Sequence, residues 1–291
     1  MLWNFVKQIK IQVKRILIKI LFSIGLPDLI RLLFQKKKTT IIYYHNISKQ
    51  KFSEHVKFLS RKYSIVSLDD YLNNRIPKSV KNRLIITLDD GYKENKDLQE
   101  VLGLYNLSAT VYLTAGIVNT NYGLWFLRKF MKGEKERLKI LPNKERIEYL
   151  EKNKRFNQNE ETDLRISLSL DEINSMKNFS FGSHTMYHPC LKMCTYEEAL
   201  VEIQNSKIQL EKLLSRPIIS LAFPDGSFGD REIEISKQSG YKAVLTSKKG
   251  FNNYDFKSYT LKRFSIPDSC SIPELYLRVT GVWFFVRKFV R

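Results

Sequence analysis

From Thr39 onward, apolar positions fall into short unbroken runs separated by longer stretches of helical spacing. Thr40–Tyr44, Arg83–Leu88, Ala109–Leu113, Ile218–Phe223 and Ala243–Thr246 are runs of this kind, with shorter ones at Ile65–Val66 and Ser180–Gly182. Such runs predict strands buried on both faces, unlike the alternating strands of a half-solvated sheet. Between them, Phe52, His55, Val56 and Leu59 recur at helical spacing. Further helices are predicted from Asp69, over Tyr196–Leu214 and over Arg231–Ser239. Seven strands alternating with helices predict an α/β fold with a parallel sheet or a (β/α) barrel.

Two regions depart from this alternation. Residues 125–170 are dense in Lys, Glu and Asn with little strand signal. They read as a solvated helical insertion, from which Trp125 is placed to reach a strand end. Residues 1–38 read as one or two basic amphipathic helices. Trp3, Phe5, Val6, Ile9, Val13, Ile16, Leu17 and Ile20 recur at helical spacing among Lys7, Lys10, Lys14, Arg15 and Lys19. Pro27 interrupts the pattern, which resumes from Asp28 to Phe34 before Lys36, Lys37 and Lys38.

The longest uncharged run here, Ile20–Pro27, is far shorter than the ~20 residues of a spanning helix. No small-residue cleavage pattern follows an apolar stretch, so neither a transmembrane span nor a cleavable signal peptide is expected. Residues 271–291 have the same basic-aromatic character, with Leu275, Tyr276, Val279, Val282, Trp283, Phe284, Phe285, Val286 and Phe289 among Arg278, Arg287, Lys288 and Arg291. Two readings apply to both ends: helices lying on an anionic membrane surface with Trp3 and Phe5 inserted, or ordinary helices packed on the barrel wall.

Composition narrows the partners. The chain has 291 residues, 43% apolar and 27% charged, which fits a globular protein and excludes disordered and fibrous classes. Its formal charge of +19 suits nucleic acid, an anionic membrane or an acidic glycan, although a Lys- and Asn-rich composition also follows from genomic base bias. No zinc finger, RNA-binding aromatic signature or isolated basic tail is present, so no specific nucleic acid is expected. Three cysteines, Cys190, Cys194 and Cys270, cannot form a paired disulfide framework and lean towards a reducing compartment. Together these features lead us to expect a cytoplasmic protein, peripheral on the inner membrane face.

The polar clusters fall at the carboxyl ends of the predicted strands, where parallel α/β folds place their chemistry: His45, Asp89-Asp90, His184 and Pro224-Asp225-Gly226. His184 and His188 stand at i and i+4, a spacing that suits joint coordination of a divalent ion and is also common on surfaces. Adjacent carboxylates at a strand end are costly unless a cation neutralises them or one takes a proton. Asp89 and Asp90 therefore fit one metal ligand and one proton acceptor, or else a helix N-cap. A structural zinc site combining Cys190 and Cys194 with the two histidines is cramped into eleven positions, and Cys190 reads better as a small buried residue.

Taken together, these motifs resemble the NodB-type polysaccharide deacetylases, carbohydrate esterase family 4. Thr87-Leu88-Asp89-Asp90-Gly91 resembles the family's first motif, with Leu88 in place of an aromatic residue. His184-Thr-Met-Tyr-His188-Pro189 is similar to the second, and Leu221-Ala-Phe-Pro224-Asp225-Gly226 to the third. The similarity spans residues 39–270. It implies a distorted (β/α) barrel of about seven strands, with Asp90, His184 and His188 holding one divalent metal, most often Zn2+ and alternatively Co2+ or Ni2+.

The resemblance also implies Asp89 as the general base and the Asp225 backbone N–H as an oxyanion donor, with Pro224 and Gly226 near the substrate, where Trp125 is expected from its position beyond a strand end. No histidine follows His188, so the family's late general acid has no counterpart. Tyr44-His45-Asn46-Ile47 instead resembles the early Tyr-His element of the branch containing poly-N-acetylglucosamine deacetylases, which assigns that role to His45. The family's third-motif arginine and fourth-motif Asp-Trp are not evident, and Arg263 is the candidate to orient Asp89. Asp225 stands where tyrosine is common, and its charge points to a cationic substrate or product.

The expected activity is hydrolysis of N-acetyl groups from an amino sugar in a surface polysaccharide or lipid-linked glycan precursor. A catalytically silent glycan- or lipid-binding module on the same fold is the alternative.

Overall fold

The computed structural model describes residues 2–286, with the side chains of residues 2–7 and 9–11 outside the description. Ten strands form one sheet: β1 (Lys38–Tyr44), β2 (Ser64–Ile65), β3 (Arg83–Leu88), β4 (Ala109–Leu113), β5 (Phe179–Ser183), β6 (Ser220–Ala222), β7 (Ala243–Leu245), β8 (Asn252–Asn253), β9 (Thr260–Leu261) and β10 (Phe264–Ser265). Eight run in the order β10-β1-β3-β4-β5-β6-β7-β9, while β2 pairs with β3 and β8 with β1. Every neighbour on the eight-strand path is parallel, so the expected (β/α) barrel is observed.

The barrel closes through one stretch of chain. β9 pairs with β7, β10 pairs with β1, and only Lys262 and Arg263 separate β9 from β10. Residues 260–265 thus change partners midway and join the two sheet edges. Arg263 sits in that crossover, its backbone N–H donating to Lys248 O at 3.0 Å.

Both faces of the strands are apolar because both are covered. Ile41, Ile85, Tyr112, Ala222, Leu245 and Leu261 belong to one buried cluster. Their neighbours Ile42, Ile86, Val111, Leu221 and Val244 belong to another, shared with the surrounding helices. This is the two-residue strand period with no solvent-facing side. On β3 the face that carries Ile85 continues through Thr87, whose hydroxyl donates to Ile42 O at 2.9 Å, and reaches Asp89. Side-chain caps start the helices: Ser48 accepts from Lys51 N, and Ser169–Glu172 and Thr195–Glu198 form reciprocal capping boxes.

The two ends of the chain pack on each other. The helix Leu2–Ser23 runs into a shorter helix Leu26–Ile30, and both meet the helix Ile272–Val279. Tyr276 Oη donates to Asp28 Oδ1 at 2.7 Å and accepts from Arg31 Nε at 2.9 Å, while Lys14 bridges Glu274 at 3.0 Å. Leu275, Tyr276, Val279, Val282 and Trp283 are buried, so most of the C-terminal aromatic stretch serves packing. Trp3 and Phe5 side chains, and Arg287, Lys288, Phe289 and Arg291, lie outside the described residues. Among the described residues, no helix is long and apolar enough to cross a membrane.

The 125–170 region is less solvated than its composition suggests. It holds the helices Glu134–Leu138 and Asn143–Lys154, and Trp125, Leu138, Leu150 and Phe156 form a buried cluster with Cys190. The predicted helix Tyr196–Leu214 is present but interrupted by a π-helical turn, Val201–Asn205.

Candidate active site

The carboxyl ends of β1, β3, β5 and β6 surround a cleft of about 460 Å³. Tyr43, His45, Asp89, Asp90, His184, His188, Asp225, Gly226 and Arg263 all line it. Nearly every residue singled out from sequence therefore converges on one place.

Asp90, His184 and His188 are buried, and one ligand atom from each lies within 4.8 Å of the others. Asp90 Oδ1 is 3.4 Å from both imidazole Nε2 atoms and has no hydrogen-bond partner. Ligands about 2.0–2.1 Å from a tetrahedral ion stand about 3.4 Å apart, so the spacing and the orphaned oxygen fit a divalent metal. His184 Nδ1 is 2.7 Å from Ala222 O, which as an acceptor fixes the N–H there and leaves Nε2 free. Burial pushes His188 down to about 4, which keeps its imidazole neutral and its lone pair available. Burial opposes ionisation of Asp90, but the adjacent His184 imidazole outweighs it and holds the carboxyl below its ordinary range. Cys190 and Cys194 are buried outside this group, so the cramped zinc alternative does not form.

The loop between the histidines needs support because Thr185 and His188 both adopt positive φ, 66° and 57°. Glu202, on the π-helical turn, provides it: one carboxylate oxygen accepts the backbone N–H of Met186 and of Tyr187, each at 2.9 Å. π-turns often mark functional positions, and this one aims Glu202 at the loop. Trp125 is buried behind His188, its indole N–H donating to His188 O at 2.9 Å. It does not line the cleft, because its ring fills the apolar cluster around Cys190. Phe126, whose ring centroid is 4.4 Å from that of His188, and Leu127 form the wall instead.

Asp89 occupies the other side of the cleft floor. Arg263 donates to it in two-pronged fashion, Nη1 to Oδ1 at 2.7 Å and Nη2 to Oδ2 at 2.9 Å, and also reaches Thr87 Oγ1 at 3.2 Å. The guanidinium lies over the rings of Tyr43 and Tyr112, at 4.3 and 5.7 Å. Burial alone raises a carboxyl, but the Arg263 charge prevails and Asp89 is held below its ordinary value.

His45 is exposed at the rim beside Tyr43. Its backbone N–H and that of Asn46 donate to the two carboxylate oxygens of Asp268, at 3.2 and 3.3 Å. By contrast, His55 is a buried structural histidine between Tyr44 Oη and Cys270 O.

At the end of β6, Asp225 and Gly226 both adopt positive φ, 52° and 67°. A Cβ on Gly226 would collide with the Ser247 side chain, and the positive φ itself favours glycine. Pro224 is buried and outside the cleft lining. The Asp225 side chain pairs with Lys139 at 2.6 Å, and Lys135 also lines the cleft. Its charge is thus met within the protein, contrary to the expectation that it awaits a cationic substrate. Lys135, Lys139, Phe126, Ser247 and Asp268 escaped the sequence reading, since only their packing, and no motif, places them here.

A family model described as polysaccharide deacetylase matches residues 77–244. No curated protein matches the sequence. Among solved structures, the fold is similar to the Streptococcus pyogenes deacetylase PplD in complex with acetate, with a TM-score of 0.60, 19% identity, and coverage of 84% of this chain and 99% of that one. IcaB from Ammonifex degensii gives a TM-score of 0.59 at 16% identity, covering 85% and 97%. The BpsB deacetylase domain from Bordetella bronchiseptica gives 0.58 at 12%, covering 79% and 96%.

Proposed function

This chain belongs to the polysaccharide deacetylase family, hydrolases that act on amide bonds, and on that premise we propose that it removes N-acetyl groups from an amino sugar of a surface polysaccharide or lipid-linked glycan precursor. Asp90, His184 and His188 hold one divalent ion, Zn2+ by their chemistry, in the open three-ligand arrangement of a catalytic site. When bound, such an ion polarises the acetyl carbonyl and makes water more acidic.

The chain's own groups then divide the work. Asp89, kept ionised and oriented by Arg263, accepts a proton from the attacking water. His45, at the rim, donates a proton to the departing nitrogen. The Asp225 backbone N–H stabilises the oxyanion. The C–N bond breaks, the water oxygen joins the acyl carbon, and acetate and a free amine leave.

The observation that carries this reading is the side-by-side placement of the Asp90-His184-His188 triad and the Arg263-held Asp89 in one cleft. Acetate release from N-acetylglucosamine oligomers tests it, with chelator and with Zn2+ or Co2+ restored. Chelator-sensitive release supports it. No release with metal confirmed bound favours the silent glycan-binding module.

We also place the protein peripherally on an anionic membrane. Three buried, unpaired cysteines favour its reducing, cytoplasmic side.

A further inference from the structure

Among the described residues, burial of the C-terminal helix leaves a separate apolar surface exposed. On the N-terminal segment, Ile20, Ile24, Leu29, Leu32, Leu33 and Phe34 are each more than half exposed. Beside them lies a groove of about 570 Å³, lined by Leu26, Ile30, Phe34, Phe251, Val282 and Phe285, with Lys38 at its edge. Single exposed apolar residues are ordinary, but six on one short segment beside an apolar groove mark a binding surface. Lys38 lines it, Lys36 and Lys37 are exposed just before Lys38, and Arg15 and Lys19 are exposed on the preceding helix. Apolar groups that insert, ringed by cations, match an anionic phospholipid surface and suit no polar partner.

The groove and the cleft lie at opposite ends of the barrel. Lys38, at the groove, begins β1, and His45, in the cleft, immediately follows its end. A strand of seven residues spans about 20 Å. The helix Ile272–Val279 runs in the opposite direction, starting near Asp268 at the His45 rim and ending where Gln35 Nε2 donates to Val279 O, beside Thr40.

We propose that the groove and its cationic rim seat the protein on an anionic bilayer, acyl chains entering between Leu26–Phe34 and Val282–Phe285, so that the deacetylase cleft opens away from the lipid. This rests on the membrane-peripheral reading above and extends it to orientation and substrate. The sugars acted on stand well clear of the lipid surface, within an extended glycan. The first sugar of a lipid carrier lies at the wrong end of the barrel.

Single-cysteine labelling of the full chain tests this, since the three native cysteines are buried. A polarity-sensitive dye is placed by Leu33→Cys, beside the groove, or by Leu127→Cys, at the cleft. Each protein is mixed with vesicles of equimolar phosphatidylcholine and phosphatidylglycerol bearing brominated acyl chains. The proposal expects quenching on the order of twofold at position 33 and none at 127, with apolar groups buried in the acyl boundary. Vesicle binding with quenching at 127, or with none at 33, overturns the orientation while membrane association stands. No vesicle binding overturns both. A dye shift at 33 that follows protein concentration without vesicles assigns the groove to a second copy and also overturns the proposal. Acetate release by the unlabelled wild-type chain, measured in parallel without lipid, reports separately on the deacetylase reading.

Discussion

Arg263 and Asp89, 174 positions apart in sequence, meet as a buried two-pronged ion pair at 2.7 and 2.9 Å. Removing one partner of such a pair leaves an uncompensated buried charge. Arg263→Lys keeps the charge but cannot make both parallel bonds. We expect kcat to fall roughly 10- to 100-fold with metal content unchanged, the result of a mis-aimed base. Arg263→Ala should also lower stability by about 3–5 kcal/mol, read from denaturant unfolding. A loss of bound metal in Arg263→Lys, with activity per metal unchanged, would argue against the positioning role.

The two adjacent aspartates should separate cleanly by experiment. Asp90→Asn and His184→Ala are expected to lose the metal, as seen by metal analysis after gel filtration. Asp89→Asn should retain it while turnover drops about 10²- to 10⁴-fold, the usual weight of a general base. Normal turnover in metal-loaded Asp89→Asn would remove Asp89 from the mechanism.

Asp268 anchors the His45 turn through two backbone N–H groups. Asp268→Ala frees that turn, and we expect kcat to fall about tenfold, through lost orientation, with little change in KM or metal content. His45→Ala should lose more, and combining the two should add nothing further. Additive losses would show that Asp268 acts elsewhere.

Glu202 provides a pH signature in stability. Burial pushes its carboxyl up to about 7 from an ordinary 4.5, against the pull of the Tyr187 and Met186 N–H groups. The fold therefore favours the protonated form. Its contribution is complete below pH 4.5 and is lost as pH rises through about 7, up to roughly 3 kcal/mol. Both N–H donors meet one oxygen, so Glu202→Gln keeps an acceptor for each. Relative to Glu202→Gln, the wild type should lose stability steadily from pH 4.5 to 7, measured by urea unfolding in chelator. A constant difference across that range would show that Glu202 titrates normally.

Much of the site was legible because it is local. Asp89-Asp90-Gly91 terminates a predicted strand, and His184 and His188 share one loop, so strand ends alone bring them together. Arg263 was legible only as a candidate, since pairing across the barrel requires knowing how 260–265 switches partners. Trp125 was assigned to the substrate from its position after a strand, but neighbouring Phe126 and Leu127 face the cleft while its indole turns inward to His188 O. The charge of Asp225 looked unpaired because Lys139 lies 86 positions away, just past a helix in a region that composition marked as solvent-exposed. The basic-aromatic pattern at both ends did not reveal that Tyr276 and Trp283 would be buried, while Phe285 and the N-terminal segment would keep the exposed apolar surface.

The crossover at 260–265 ties the barrel's integrity to its chemistry. A two-residue β9 and a two-residue β10 hold the sheet edges together, and Arg263 between them also holds the base. Leu261, Arg263 and Phe264 are buried, so this seam parts only when the barrel itself opens. Closure and catalysis share one latch: Asp89 keeps its partner for as long as the barrel stays shut. On heating, activity and the sheet should be lost at one temperature, read by assay and by circular dichroism on the same sample.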